Sequence, residues 1–208
     1  MAGIFITFEG TEGCGKSTHI ERLADRLRAE GHSVCVLREP GGTESGEAIR
    51  QLLKHGPENL TPEAELLLMN ASRAQLVREV IRPALTEGQI VLCDRFYDSS
   101  TVYQGTGRGL DASLVQQVID LAVGDTRPDL TLLLQIPLAT SEKRRAKRKE
   151  TDRFEAADRE FFERIEAGYQ ALAKAYPDRV HVIDASPPLA TVQAAIWDTV
   201  VVALKKCE

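Results

Sequence analysis

Short apolar runs alternate along the chain with longer stretches in which apolar residues recur every three or four positions, the pattern of strands separated by helices. Ile4 to Phe8 (IFITF) is the first such run, rich in β-branched residues and free of charge, as a strand buried on both faces requires. From Ser17 onward Ile20, Leu23, Ala24 and Leu27 recur at helical spacing, while Arg22, Asp25, Arg26 and Arg28 occupy the other side. Further strands are predicted at Ser33 to Leu37, Gln89 to Asp94, Leu130 to Ile136 and Val180 to Ile183, with helices filling the intervals. The expectation is a single α/β domain over residues 1–208, doubly wound and without repeats. Ligands of such sheets gather at the carboxyl ends of the strands, so the residues after each strand are where chemistry is sought.

After the first strand the chain reads Gly10-Thr11-Glu12-Gly13-Cys14-Gly15-Lys16-Ser17-Thr18, which contains the spacing G-x-x-x-x-G-K-S. Glycines at 10, 13 and 15 let successive N–H groups turn onto one concave face and donate to phosphate oxygens. Lys16 adds a cation aimed at the β and γ phosphates, and Ser17 offers a hydroxyl to Mg²⁺. The loop runs from a strand end into a helix N-terminus, where dipole and unpaired N–H groups favour anions. Glu12 lies beside the polyphosphate, where a carboxylate is repelled unless it faces a metal or a neutral hydroxyl; it reads as a partner for a sugar, or else as a solvated loop acid.

The other strand ends add charge. Arg38-Glu39-Pro40-Gly41-Gly42-Thr43 follows the second strand, and a turn explains Pro40 to Gly42 but not Arg38. The third strand ends in Asp94-Arg95. Alone this pair reads as a surface ion pair, but beside a phosphate loop Asp94 suits orienting Mg²⁺ through water and Arg95 suits bridging two phosphoryl groups. Beyond the fourth strand, Ser141 to Arg153 (SEKRRAKRKETDR) holds seven cations in thirteen residues. A charge run is by default a solvated helix face, yet this one sits in a chain of net charge −5, and phosphoryl transfer needs cations around the transferring group.

Composition narrows the class without deciding it. With 43% hydrophobic residues the chain can bury a full core, and Cys14, Cys35, Cys93 and Cys207 are too scattered for a disulfide frame or metal site. No export signal or membrane-length apolar run is present, so a cytoplasmic protein without membrane contact is expected. The acidic balance argues against broad nucleic-acid binding.

Taken together, the phosphate loop, REPGGT (Arg38 to Thr43), ASRAQ (Ala71 to Gln75), DRFYDSSTVYQGTGRG (Asp94 to Gly109) and DRFE (Asp152 to Glu155) resemble the bacterial thymidylate kinases, over a span from about Phe5 to Phe162. That resemblance implies a three-layer nucleoside monophosphate kinase fold with a five-stranded parallel sheet of order 2-3-1-4-5, helices on both faces, a short lid at about 141–153, and a homodimer. It also implies transfer of the γ-phosphoryl group of MgATP to dTMP, giving dTDP and ADP.

The family's roles fall on matching residues. Gly10 to Thr18 would hold the nucleotide, with Lys16 on the β and γ phosphates, Ser17 on Mg²⁺ and Asp94 reaching the metal through water. Arg95 and Arg38 would bind the dTMP phosphate, and Glu12 the 3′-hydroxyl. Arg73 would reach the thymine edge, Ser99, Ser100 and Gln104 would help fix base and phosphate, and Tyr103 would crowd the sugar 2′ position. Met69 stands where the family usually places a phenylalanine that stacks on the base; a thioether can still pack on an aromatic ring. Gly13 occupies the position where some members carry a catalytic arginine, so the lid would supply the cations, from Arg144, Arg148 and Arg153.

Because the acceptor is a phosphate oxygen already anionic at neutral pH, no general base is needed, and His19, His32, His55 and His181 read as surface or structural residues. The helix expected at Ser141 to Lys149 and the loop Ala185 to Pro188 are candidate walls for adenine. Three other readings share parts of this pattern. Another monophosphate kinase would differ only at the acceptor pocket, a switch or ATPase would need a residue to position water, and a binding module would need no transfer residues.

Overall fold

In the computed structural model, which describes residues 3–57, 59–146 and 159–207, the five expected strands form one parallel sheet. They are β1 (Ile4–Glu9), β2 (Val34–Arg38), β3 (Ile90–Asp94), β4 (Leu130–Gln135) and β5 (Val180–Asp184), in the order β2-β3-β1-β4-β5. Each lies within a residue or so of its predicted bounds. The central strand β1 is buried throughout and pairs with β3 through Ile4↔Ile90 to Phe8↔Asp94, and with β4 through Ile6↔Leu130 to Glu9↔Leu133. This register brings the ends of β1 and β3 level, so the residues after each emerge side by side.

The period-two alternation of a strand sends its side chains to opposite faces, and the core divides accordingly. Ile4, Ile6 and Phe8 face Ile20, Leu23 and Leu27 of α1 (Lys16–Ala29) and Val192, Ile196 and Val200 of α9 (Leu189–Cys207). Phe5, Val91 and Cys93 face the other way. They meet Leu66 and Leu76 of α3 (Pro62–Leu76), Val77 and Ile81 of the π-helical stretch that continues it, and Val115 and Ile119 of α6 (Ala112–Val123). A third cluster joins Phe161, Phe162, Ile165 and Tyr169 of α8 (Arg159–Ala175) to Val102, Tyr103 and Leu133.

Helices place most of the functional side chains, α3 carrying Met69 and Arg73. α1 begins directly at Lys16, capped by Gly15 in the left-handed region (φ 94°), a conformation that favours glycine. α2 (Glu44–His55) is capped by the Thr43 hydroxyl, which accepts from the Gly46 N–H, so the REPGGT turn is also a helix start. The segment after β3 forms a short helix α5 (Tyr97–Ser100) that widens into π-helical turns at Thr101–Gly107. α7 (Leu138–Arg145) covers the phosphate loop; it starts before the predicted Ser141 and ends at Arg145, with Lys147 to Lys149 outside the described residues. α4 (Arg82–Thr86) completes the run from α3 to β3. No helix of the described residues is long and apolar enough to cross a membrane.

Candidate active site

One cavity of about 690 Å³ opens where the ends of β1, β2 and β3 meet. At one end it is lined by Gly13, Gly15, Lys16, Ser17 and Thr18 of the phosphate loop, and at the other by Met69, Arg73, Ser100, Tyr103 and Gln104; Arg38, Asp94 and Arg95 lie on its wall too. Residues separated by most of the sequence therefore share a single volume.

The loop is shaped by its glycines. A Cβ at Gly10, where φ is 132°, would collide with the Leu134 carbonyl oxygen of β4, so the loop can lie on the sheet only with glycine there. Lys16 Nζ donates to the Gly10 and Thr11 carbonyl oxygens at 3.0 and 3.1 Å, and Cys14 is packed beneath the loop with its Sγ 3.7 Å from that same nitrogen. Ser17 Oγ donates to Asp94 Oδ2 at 2.8 Å, which puts a hydroxyl and a carboxylate, both hard oxygen donors, on the same side of the loop.

Arg95 is the centre of the acidic wall. It is the one non-glycine residue with positive φ (71°) among the described residues, a conformation worth roughly 1–3 kcal/mol of strain. Its backbone N–H donates to the Phe8 carbonyl, which fastens it to the end of β1. Nη2 donates to Glu12 Oε1 at 2.9 Å and Nη1 to Ser99 Oγ at 3.0 Å, and the Tyr103 hydroxyl donates to Glu12 as well. Burial pushes the Glu12 carboxyl upward, but Arg95 and Lys16 outweigh it and hold Glu12 below the usual carboxylate range. Beneath them Glu9 accepts from the N–H groups of Phe96 and Ser99, from Ser99 Oγ and from the Tyr169 hydroxyl. Its own carboxyl is raised by burial despite Arg95 nearby. Glu9 thus anchors the strained turn that aims Arg95.

Arg73 is 2% exposed and engaged on every nitrogen: Nε with Glu39 Oε2 at 2.8 Å, Nη1 with Asn70 Oδ1 and Ser100 Oγ, Nη2 with the Phe96 carbonyl. Sequence reasoning expects this side chain at a thymine edge; here it lines the cavity from within a buried network, and the Ser100 hydroxyl it supports lines the cavity as well. Glu39 pairs with Arg73 through one oxygen only, while Oε1 is buried without a hydrogen-bond partner, and burial raises this carboxyl to about 7 in spite of Arg73. Arg38 is held at the cavity wall by bonds from Nη2 to both Glu47 oxygens at 3.1 and 3.2 Å.

Of the cations expected in a lid, Arg144 reaches the phosphate loop and donates to the Gly13 carbonyl at 2.8 Å. Arg148 and Arg153 lie outside the described residues. Arg145 points away, its guanidinium 3.5 Å above the Phe162 ring. The Ala185 to Pro188 loop is not among the residues lining the cavity, nor are Gly10, Thr11 and Cys14, of which Gly10 and Thr11 hold Lys16 Nζ through their carbonyl oxygens. His19 is structural as expected, buried, with its Nδ1 2.7 Å from Gln193 Nε2.

Tyr169, Arg50, Lys54 and Glu39 belong to the site although sequence reasoning names none of them as functional. Arg50 and Lys54 line the cavity from α2, and their four-residue spacing beyond Arg38 was a usable signal for one cationic helix face. Tyr169 follows Ile165 and Phe161 at core spacing, so only its hydroxyl sets it apart.

A family model described as thymidylate kinase matches residues 8–196. A thymidylate kinase of Deinococcus radiodurans is 48% identical over 198 residues, covering 95% of this chain and 96% of that protein. One from Caulobacter vibrioides is 50% identical over 200 residues, with 96% of each covered. Among solved structures, the crystal structure of thymidylate kinase from Ehrlichia chaffeensis superposes with a TM-score of 0.79 at 34% identity, over 96% of this chain and 99% of that one.

Proposed function

Since the chain belongs to the thymidylate kinase family, we propose that this cavity is where the γ-phosphoryl group of MgATP passes to dTMP, giving dTDP for dTTP synthesis. The observation that carries the residue assignment is the placement of Arg95, fixed by Glu12 and Tyr103 between the phosphate loop at one end of the cavity and the Arg73, Ser100 and Gln104 cluster at the other. Two anions must be brought together without a general base, so catalysis is charge neutralisation and alignment. Lys16 would take the β and γ phosphates and Arg95 the acceptor phosphate, with Arg38 beside it. Glu12 would meet the sugar 3′-hydroxyl, Tyr103 would stand against the 2′ position, and Met69 would pack on the base. Arg144 would add charge at the loop; Arg148 and Arg153 are proposed lid cations on sequence grounds alone.

Magnesium suits the donors present. The Ser17 hydroxyl and the Asp94 carboxylate are adjacent oxygens beside the loop, which fits an ion that prefers oxygen and keeps several waters. Ser17 would bind it directly and Asp94 through water; when bound, it neutralises phosphate charge.

We further infer a single domain, residues 1–208, acting as a homodimer in the cytoplasm without nucleic-acid or membrane partners. Leu67 on α3 and Leu114 and Leu121 on α6 are large exposed apolar side chains on two helices that pack side by side, which supports a contact with a second copy. Free thiols at Cys14, Cys35 and Cys93 agree with a reducing compartment.

The test is ADP production from MgATP with dTMP, dUMP, dGMP, dAMP or dCMP at equal concentration. Marked preference for dTMP is expected. Preference for another monophosphate would overturn the acceptor pocket, and ADP release without an acceptor would overturn the transferase reading.

A further inference from the structure

Gln104 lines the base end of the cavity and is 1% exposed, so the way its amide faces decides what a base edge meets there. That orientation is set from behind by a residue outside the cavity. Glu65 of α3 is 0% exposed; its Oε1 accepts from Gln104 Nε2 at 2.7 Å, and its Oε2 lies 3.3 Å from Arg108 Nη2. A carboxylate held against a guanidinium has only acceptors to offer. Gln104 must therefore present its NH₂ group to Glu65, which leaves the carbonyl oxygen as the amide's face toward the cavity.

We propose that Glu65, paired with Arg108, is a positioning residue that fixes the polarity of the Gln104 amide and makes the base wall of the cavity an acceptor. This rests on the dTMP reading given above. The N3 position of thymine or uracil carries a hydrogen and donates to such a wall, whereas N3 of cytosine is a lone pair and is repelled. Discrimination against cytosine is then built by a buried carboxylate that never touches the nucleotide. A site made to pair one polar edge rejects the opposite edge far more strongly than an apolar pocket rejects a methyl group.

Glu65→Gln gives a specific test because its shape is nearly unchanged and its hydrogen-bond inventory is not. The new amide has one acceptor, which Arg108 claims, and its NH₂ group then calls for an acceptor from Gln104; the Gln104 amide reverses and turns its donors into the cavity. Measured kcat and KM for dTMP and dCMP should show the dTMP-to-dCMP ratio of kcat/KM falling at least about tenfold, mainly through KM, with the KM for MgATP unchanged. In a Gln104→Ala background, Glu65→Gln should leave that ratio where it is. A folded Glu65→Gln enzyme with unaltered selectivity, or the same loss in the Gln104→Ala background, would overturn the inference while the dTMP preference of the wild type stands. Wild-type enzyme without that preference would overturn the acceptor reading and this inference with it. Should Glu65→Gln fail to fold, nitrogen-15 spectra of the wild type decide: the Gln104 NH₂ should be protected from exchange both free and with dTMP bound. An NH₂ that exchanges freely would sink the proposal.

Discussion

Arg95 Nη2 donates to Glu12 Oε1 at 2.9 Å, joining the residue that follows β3 to the loop that follows β1 across 83 positions of chain. Both partners also bond to Tyr103, so the cation is held from two sides. Arg95→Ala should keep the fold by circular dichroism, because the sheet core does not involve this side chain, and lose turnover by about 10³ or more, as other transition-state arginines do. A variant retaining more than about a tenth of the wild-type rate would contradict the assignment.

Asp94 accepts the Ser17 hydroxyl, and its loss should be felt through the metal. With Asp94→Asn, the Mg²⁺ concentration for half-maximal turnover should rise about 10- to 100-fold, and chelation should abolish wild-type turnover. An unchanged Mg²⁺ titration would remove Asp94 from the metal's surroundings.

Glu39 gives a pH signature in stability. Its carboxyl is raised to about 7 in the folded protein by burial, against an ordinary value of 4.5, so between those values the native state holds a proton that the unfolded chain has released. Stability from this group is present in acid and falls as pH rises toward and through 7. Relative to Glu39→Gln, the wild type should lose about 2–3 kcal/mol between pH 5 and 8. Urea melts of both proteins at the two pH values measure this, and a difference that grows in favour of the wild type as pH rises would refute it.

The adjacent arginines of α7 should separate by readout. Arg144 bonds to the Gly13 carbonyl, and Arg144→Ala should cut kcat by about 10³. Arg145 stacks on Phe162, and Arg145→Ala should lower stability by about 0.5–2 kcal/mol with kcat nearly intact. Steady-state rates and thermal melts of the two variants, run side by side, would expose an exchange of roles.

The exposed leucines on α3 and α6 give the assembly a simple check. Leu121, 80% exposed, changed to aspartate should shift the sedimenting species from dimer to monomer. A wild type that sediments as a monomer would remove the dimer altogether.

The strands, their order and the phosphate loop were legible because each is a local pattern or, for the order, follows from a resemblance carried by contiguous motifs. What stayed illegible is what depends on distant side chains meeting. Glu65 and Gln104 are 39 positions apart and nothing in either neighbourhood links them. Tyr169 bonds to Glu9 across 160 positions and looks like one more core residue of an amphipathic helix. Arg73 lines the cavity, but its full set of internal partners depends on Glu39 and Phe96, whose turns had no reason to be read together. The basic run after β4 was the reverse case: the run itself was obvious, while its density left the register of individual arginines ambiguous, and of the three expected lid cations only Arg144 falls among the described residues, on α7.

Gly13 sits at φ 79°, and a Cβ built there would lie 3.1 Å from the Cβ of Arg144. A side chain at position 13 and the arginine of α7 therefore contend for the same space. A larger residue at that point of the loop would push the arginine of α7 aside by at least a few tenths of an ångström. With position 13 bare, Arg144 lies directly against the loop backbone, so the place of α7 sets how near its positive charge comes to the loop.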